Sequence, residues 1–301
     1  MKLEHVNCNI CGTNDYSIVY PARSNKALSI EPFKSESTEL SKDQIVKCNQ
    51  CGLIYVNPRL KPKSIIKGYS EGSNKRFISQ AKEREKTFEK SMSLIEKYVK
   101  TRGKLLDIGT AGGSFLAVAK RHGWQIEGIE PNKWLCKWSK KYYGINIRNG
   151  TLEKNSFEKK SFDLITLWDV LGHVSSPAAT LKRINSLLKK NGKLVVNYPD
   201  IGSPIAKMMG RKWVFILTVH LYYFTQKTLK KLLEKCGFKV IVIKKHWQTL
   251  SLGYLADRLE PYSKICHKFA TKTVNVLKLD KFQIKYWLGQ TFVIAEKVKE
   301  I

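Results

Sequence analysis

The sequence has no apolar run long enough to cross a membrane. The longest candidate, residues 213–219, is far shorter than the roughly 20 residues that a transmembrane helix needs. The first residues, Met-Lys-Leu-Glu-His, contain no apolar stretch of the kind found in secretory signals. We therefore expect a cytoplasmic protein. Its 301 residues, 43% of them hydrophobic, are enough for one catalytic domain and a small accessory module.

Arginine is scarce, although the chain is strongly basic. Only 10 of the 54 basic residues are arginine, and the formal net charge is +29. Such a charge fits either a polyanionic partner, such as nucleic acid, or a lysine-rich solvated surface. Specific recognition of phosphates and bases relies on arginine forks, and the lysines are spread along the whole chain. We favour the solvated surface and keep nucleic acid as the less favoured partner.

Four of the seven cysteines form two Cys-x-x-Cys-Gly motifs, which contain Cys8 with Cys11 and Cys48 with Cys51. Each motif brings two thiolates to one side of a tight loop, and together they supply the four sulfur ligands that structural zinc prefers. A redox dithiol is the alternative, but a thioredoxin-type motif occurs once, in a βαβ context. We predict structural zinc. The other cysteines are expected to be buried thiols: Cys136, Cys236 and Cys266.

The pattern between the cysteine module and residue 103 is helical. Phe88, Met92, Ile95 and Val99 recur on one face of a helix predicted from about residue 78 to 100. Ahead of it, Tyr69 lies between Gly68 and Gly72, in a segment that could form part of a lid.

From residue 103 onward, short apolar strands alternate with helices. The predicted strands cover residues 104–108, 124–130, 145–147, 162–168 and 193–198. This alternation is typical of a doubly wound, mostly parallel α/β sheet, in which ligands bind beyond the carboxyl ends of the strands. We divide the chain into a zinc-binding module at 1–58, a helical connector or lid at 59–100 and a catalytic domain at 101–301, with a helical insertion at about 248–285.

The loop after the first of these strands indicates the cofactor. A glycine-rich loop at residues 109–113 would suit NAD as well, but Asp107 stands at the strand tip just before it. A carboxylate there repels a pyrophosphate, whereas S-adenosylmethionine carries an ammonium and a sulfonium. Glu130 ends the second strand, where an acid can accept hydrogen bonds from both ribose hydroxyls.

These motifs resemble those of class I S-adenosylmethionine-dependent methyltransferases, which have a Rossmann-like seven-stranded sheet. Residues 105–116 are similar to the family's first motif, and Glu130-Pro-Asn is similar to its acidic ribose motif. One subfamily also carries paired N-terminal cysteine motifs, a following Asn-Pro-Arg and a later His-Leu-Tyr-Tyr-Phe-Thr, here residues 220–225. Some of its members methylate nucleotide-linked sugars and other small metabolites.

The resemblance implies a set of cofactor-binding residues. Asp107 would fix the methionine amino group, Glu130 the ribose, and Leu152 would lie against adenine. The remaining implied positions are in the loop and at the methionine end: Gly109, Thr110, Ala111, Gly113, Trp168 and Asp169. The sequence departs from the subfamily at Ala111, where glycine is usual, and at Gly172 and Val219, where acids are usual.

Candidate catalytic residues follow the fourth and fifth strands of the predicted domain. Methyl transfer needs a base only if the acceptor must lose a proton, and His173 and His220 are the titratable candidates, with Tyr222 or Tyr223 assisting. Each histidine could instead be a hydrogen-bonded structural residue, and each tyrosine a core residue. Since no acid precedes His220, we expect its pKa to lie near the ordinary value of about 6.5.

The function that follows is methyl transfer from S-adenosylmethionine to a small-molecule acceptor. An RNA methyltransferase is the first alternative, supported by the zinc module and the positive charge. A non-catalytic protein that retains the cofactor fold is the second, because two subfamily acids are missing.

Overall fold

The structure is a computed structural model that describes residues 3–23, 39–260 and 262–301. The strands are β1 (Leu3–Glu4), β2 (Tyr16–Tyr20), β3 (Ile45–Cys48), β4 (Ile54–Val56), β5 (Arg59–Leu60), β6 (Lys104–Ile108), β7 (Gln125–Glu130), β8 (Arg148–Asn149), β9 (Phe162–Trp168), β10 (Leu188–Pro199), β11 (Tyr222–Tyr223), β12 (Phe238–Lys245), β13 (Gln248–Ser251), β14 (Gln283–Tyr286) and β15 (Gln290–Lys297). The helices are α1 (Pro62–Ser70), α2 (Lys75–Ile78), α3 (Ala81–Ile95), α4 (Ser114–Arg121), α5 (Lys133–Tyr143), α6 (Pro177–Leu187), α7 (Pro204–Met209), α8 (Gln226–Lys235), α9 (Leu252–Asp257) and α10 (Lys264–Val276). No helix in these ranges is both long and apolar enough to span a bilayer.

The central element is a seven-stranded sheet with the order β12-β15-β10-β9-β6-β7-β8. Strand β15 runs antiparallel to both of its neighbours, while β10, β9, β6, β7 and β8 pair in parallel. Leu105 and Leu106 on β6 are fully buried, as expected for a strand covered on both faces. The predicted mostly parallel α/β sheet is confirmed.

Local sequence signals fix where the connecting helices begin. Gly113 precedes α4 with a φ of 81°, a left-handed conformation that favours glycine. The Asn132 side chain accepts a hydrogen bond from the Leu135 amide and caps α5. Pro177 occupies the first turn of α6 behind the cap Ser176. These starts orient the loops that precede the helices toward the carboxyl ends of the strands.

The N-terminal cysteines lie in a four-stranded sheet with the order β11-β4-β3-β2. One of its two edge strands, β11, comes from the part of the chain after β10. On it, Tyr222 pairs with Tyr55 of β4. The Arg59 guanidinium donates to the Tyr222 hydroxyl at 2.9 Å. The module and the catalytic region therefore share a sheet and a continuous hydrophobic core.

The predicted helical insertion is only partly helical. Its ends pair as the antiparallel strands β13 and β14, with α9 and α10 between them. The insertion packs on α3, where the Thr249 amide donates to Thr87 Oγ1 at 3.0 Å and the Ser251 amide to Gln80 Oε1 at 3.2 Å. Strand pairing of this kind depends on partners distant in sequence, which a local helical pattern does not reveal.

Other predicted boundaries also differ. The connecting helix is split into α2 and α3 and ends at Ile95. The strand expected at 145–147 lies at Arg148–Asn149. The strand expected at 193–198 is longer, Leu188–Pro199, and contains Asn191 at a φ of 60°, where the pairing with β9 shifts register. Of the three cysteines expected to be buried, Cys236 is buried, Cys136 is partly buried and Cys266 is exposed.

Candidate active site

A cavity of about 750 Å³ opens at the carboxyl ends of the central strands. The loops after β6, β7 and β9 form one wall. Helices α1 and α3, the segment around residues 209–220 and the insertion form the others. The cavity contains most of the residues that the sequence singled out: Asp107, Gly109, Thr110, Ala111, Glu130, Leu152, Trp168, Asp169, His173 and His220.

The glycine loop is held tightly against its neighbours. A Cβ at Gly109 would lie 2.6 Å from Val170 Cγ2, and one at Gly113 would lie 2.6 Å from Ser139 Oγ. Both glycines also have positive φ, so a side chain would meet both steric and backbone strain. Gly113 supports the loop from outside, since it does not line the cavity. Ala111 adopts a φ of 49° without being glycine, and its amide donates to Glu130 Oε2 at 2.9 Å.

Two buried acids flank this loop. Asp107 is 1% exposed and accepts a 2.6 Å hydrogen bond from Thr166 Oγ1. Glu130 accepts one backbone hydrogen bond on each oxygen, from Ala111 and Asn132. Burial raises the pKa of each carboxyl to about 7, against the lowering effect of these hydrogen bonds. A positive charge placed between them would reverse that shift and be stabilised by them.

Asp169, which follows β9, is a further acid of the cavity. Its backbone has a φ of 55°, and its carboxylate accepts a hydrogen bond from Gln290 Nε2 at 3.2 Å. Burial raises its pKa to about 6, while Gln290 and Arg84 act in the opposite direction. The preceding Trp168 packs edge-on against Phe88, with ring centroids 5.0 Å apart. Helix α3 thus contributes directly to the site.

His173 and His220 lie side by side, with ring centroids 4.5 Å apart. The Tyr69 hydroxyl and His173 Nδ1 are hydrogen-bonded at 2.6 Å. His220 Nδ1 lies 2.7 Å from the Phe215 carbonyl oxygen. A carbonyl can only accept, so Nδ1 carries the proton and Nε2 is left as an acceptor. The segment that could form part of a lid is hydrogen-bonded to the start of α5: Asn132 Nδ2 donates to the carbonyls of Tyr69 and Gly72.

The expected ordinary pKa of His220 is wrong. Burial lowers it to about 4, although the hydrogen bond to Phe215 acts in the opposite direction. Burial and the neighbouring His220 also hold the pKa of His173 well below 6.5. Both rings are therefore neutral at physiological pH. The sequence showed no acid beside His220 but could not show that the ring is 4% exposed.

Tyr222 does not lie in the cavity, which corrects its placement at the reacting centre. Its side chain points toward the cysteine module, where the hydroxyl donates to the Ser175 carbonyl at 3.1 Å and accepts from Arg59. Tyr223 is also outside the cavity lining, and its hydroxyl donates to the Leu217 carbonyl. Strand β11 alternates its side chains between two packed faces, so neither tyrosine follows His220 into the site.

Sequence reasoning missed several residues that the structure brings into the cavity wall: Arg84, His246, Tyr254, Arg258, Tyr262, Tyr286 and Gln290. Most of them belong to the insertion or the strand after it, in the part of the chain outside the quoted family motifs. No motif or periodicity marks these positions in the sequence.

The four cysteines of the paired motifs come together at one point. Their sulfur atoms all lie within 4.8 Å of one another, with Cys8 Sγ 3.3 Å from Cys51 Sγ and Cys11 Sγ 3.4 Å from Cys48 Sγ. Gly12 and Gly52 follow each pair at φ values of 85° and 80°. Each glycine amide donates back to the first cysteine carbonyl of its motif, which closes the turn under the sulfur atoms. Four converging thiols are the donor set of a structural zinc site.

Comparison with known proteins identifies the class. The model of the methyltransferase domain family matches residues 80–243, more than half of the chain. The chain therefore belongs to this methyltransferase domain family.

Curated relatives match about a third of the chain. The chain is 28% identical over 109 residues to the ubiquinone biosynthesis O-methyltransferase of Coxiella burnetii, covering 34% of this chain and 47% of that protein. It is 30% identical over 101 residues to the mitochondrial ubiquinone biosynthesis O-methyltransferase of Schizosaccharomyces pombe, covering 31% and 37%. The chain thus spans less than half the length of either relative.

Two solved structures share the fold. An S-adenosylmethionine-dependent methyltransferase from Archaeoglobus fulgidus has a TM-score of 0.51 at 18% identity and covers 74% of this chain and 100% of that one. A methyltransferase from Thermotoga maritima, described as a possible histamine N-methyltransferase, has a TM-score of 0.50 at 20% identity, covering 74% and 94%.

Proposed function

We propose that the acceptor is a small molecule, methylated on an atom that must lose a proton. The observation that carries this proposal is the enclosure of the cavity. Helices α1 and α3, the segment around residues 209–220 and the insertion cover the strand ends. The volume of about 750 Å³ lies in the range of small-molecule sites. The relatives named as O-methyltransferases of ubiquinone biosynthesis support an acceptor of this size class.

The cofactor is proposed to bind on the glycine-loop wall. Bound there, S-adenosylmethionine supplies an electrophilic methyl group on a cationic sulfur. Asp107 would pair with the methionine ammonium and Glu130 with the ribose hydroxyls. Each Glu130 oxygen holds one backbone hydrogen bond and retains capacity for another. Leu152 is 3% exposed at the cavity edge, suited to an apolar contact with adenine, and Trp168 and Asp169 would face the methionine end.

His220 is proposed to receive the acceptor's proton or to position the group that carries it. Its tautomer is fixed by Phe215, so neutral Nε2 can accept a hydrogen bond from an acidic hydroxyl or carbon acid. The Tyr69–His173 pair beside it would hold the acceptor from the α1 side. Most of the rate enhancement would come from placing the acceptor behind the methyl group, because the displacement itself is already activated.

We also propose that zinc occupies the four-cysteine site in a structural role. All four positions of a tetrahedral site are supplied by the protein, which leaves no position for a catalytic water. The site stabilises the sheet that β11 completes, so the metal acts on the cavity only through that sheet.

Radiolabelled methyl transfer tests the proposed acceptor class. The full chain is incubated with labelled S-adenosylmethionine and either fractionated small metabolites or bulk RNA. We expect label in a small-metabolite fraction and none in RNA. Asp107→Asn serves as the weakened variant, because loss of a charged hydrogen bond to the cofactor should lower the cofactor's affinity roughly 10- to 100-fold. Glu158→Gln removes an exposed carboxylate and should leave both affinity and turnover unchanged.

Two results would contradict the proposal. Label appearing in RNA, with affinity that falls steeply with salt, would replace the small-molecule acceptor by nucleic acid. Unchanged cofactor affinity in Asp107→Asn would show that the cofactor does not bind on the glycine-loop wall.

A further inference from the structure

Three arginines converge on the wall of the cavity formed by α3 and the insertion. The guanidinium carbons of Arg76 and Arg258 lie 5.6 and 5.8 Å from the ring centre of Tyr254. The guanidinium of Arg84 stacks 4.0 Å from the ring centre of Phe77. Arg84 and Arg258 both line the cavity.

These cations are only partly compensated. Within the described residues, neither Arg84 nor Arg258 has a carboxylate oxygen within 4.0 Å, and Arg76 reaches Asp257 at 3.9 Å. Arg258 Nη1 has the Tyr254 hydroxyl as a partner at 3.3 Å. Arg84 Nε is buried and makes no hydrogen bond. A buried charged donor without a partner is costly, so this wall is arranged to receive an acceptor of hydrogen bonds.

The field at this wall is positive. Burial acts to raise the pKa of the Tyr254 phenol, yet its pKa is lowered, because Arg84, Arg258 and Arg76 outweigh burial. Asp169 is the acid of the cavity that interacts electrostatically with Arg84, and its carboxylate also accepts a hydrogen bond from Gln290. The cavity therefore has acids near the glycine loop and only partly compensated cations on the wall formed by α3 and the insertion.

We propose that Arg84 and Arg258 form a subsite for an anionic group, a carboxylate or a phosphate, on the methyl acceptor. The guanidinium forks match the paired oxygens of either group. Tyr254, Tyr262 and Tyr286 line the same wall, so the anion is expected next to an aromatic or apolar portion of the acceptor. This subsite rests on the proposed function, since it concerns the substrate of the same cavity.

Calorimetry on the full chain, saturated with S-adenosylhomocysteine, tests the subsite without requiring turnover. The probes are benzoate, phenyl phosphate and the neutral benzamide. We expect at least one anion to bind at least tenfold more tightly than benzamide. Preference for benzoate indicates a carboxylate acceptor, and preference for phenyl phosphate indicates a phosphate. Arg258→Gln and Arg84→Gln should each weaken the preferred anion at least tenfold, with S-adenosylhomocysteine affinity changed less than twofold.

Matched variants separate recognition from structure. Arg258→Lys keeps the charge and should retain part of the affinity. Tyr254→Phe removes the hydroxyl partner of Arg258 but not the cation, and should bind the anion within a few-fold of wild type. Arg102→Gln removes an arginine whose side chain is 59% exposed and pairs with Glu96, and should change nothing.

Three outcomes would overturn the subsite: benzamide binding as tightly as both anions, anion affinity unchanged in both arginine variants, or a parallel loss of S-adenosylhomocysteine affinity that places the arginines in the cofactor site. Anion binding with no methylated small metabolite would instead count against the proposed function alone.

Discussion

The environment of His220 sets how activity should respond to pH. With its pKa lowered to about 4 by burial, the ring stays neutral from pH 8 down to about pH 5. It gains a proton only as the pH falls through about 4. A function that needs neutral Nε2 is therefore retained across the physiological range and lost only in acid.

We predict that the pH profile of turnover shows no titration of His220 between pH 5.5 and 8. His220→Ala should lower turnover by roughly 10²- to 10⁴-fold if the ring accepts the proton. Cofactor affinity should stay within about twofold, because the ring packs against His173, Phe215 and Tyr223 and not against a proposed cofactor residue. Turnover and calorimetry on one preparation provide the measurement. Wild-type turnover that falls with an apparent pKa of 6 to 7 and loses that step in His220→Ala would contradict the assigned environment, and full turnover in the variant would make His220 structural.

Among the elements, those with strong local signals could be predicted from the sequence. Strands β6 and β9 begin and end where the sequence predicts, because each is a short apolar run whose ends are marked locally. The two-residue strands β8 and β11 and the β13–β14 pair depend on partners elsewhere in the chain, and no periodicity marks them. For the same reason Asp107 and Glu130 could be found from motifs, whereas Arg84 and Arg258 could not.

Strand β11 also explains why glycine stands at position 172. The Gly172 carbonyl accepts hydrogen bonds from the Leu221 and Tyr222 amides, and a Cβ at position 172 would lie 3.0 Å from the Tyr222 carbonyl oxygen. A side chain there would press on the turn that leads into β11. The missing subfamily acid is therefore tied to local packing.

Gly172→Ala should lower the free energy of unfolding by about 1–3 kcal/mol, as overpacking does, and Gly172→Glu should lower it at least as much without raising turnover. Urea unfolding followed by fluorescence, together with the methyl-transfer assay, measures both effects. Higher turnover in Gly172→Glu at unchanged stability would show that the position tolerates the acid and that the site lacks it.

At the scale of the whole molecule, we expect that disrupting the cysteine module also disrupts the cavity. Tyr222 pairs with Tyr55 of the module, and His220 lies two positions before Tyr222. Loss of the metal would loosen β3 and β4, then β11, and so shift the segment that carries His220.

Elemental analysis should find about one zinc per chain. Cys48→Ser combined with Cys51→Ser should abolish zinc binding, lower the Tm by at least about 5 °C and reduce turnover more than cofactor affinity. Cys266→Ser alters an exposed thiol outside the cluster and should match wild type. Zinc retained by the double variant would refute the site, and full turnover in a zinc-free, less stable protein would refute its connection to the cavity.

The origin of β11 late in the chain has a consequence for biosynthesis. Arg59 and its partner Tyr222 are 163 positions apart, which at ordinary rates of translation means roughly ten to thirty seconds between their synthesis. During that interval the cysteine motifs can already come together, but the edge of β4 that pairs with β11 is free to pair with other strands. The order of synthesis therefore leaves the module complete only after most of the catalytic region has emerged from the ribosome.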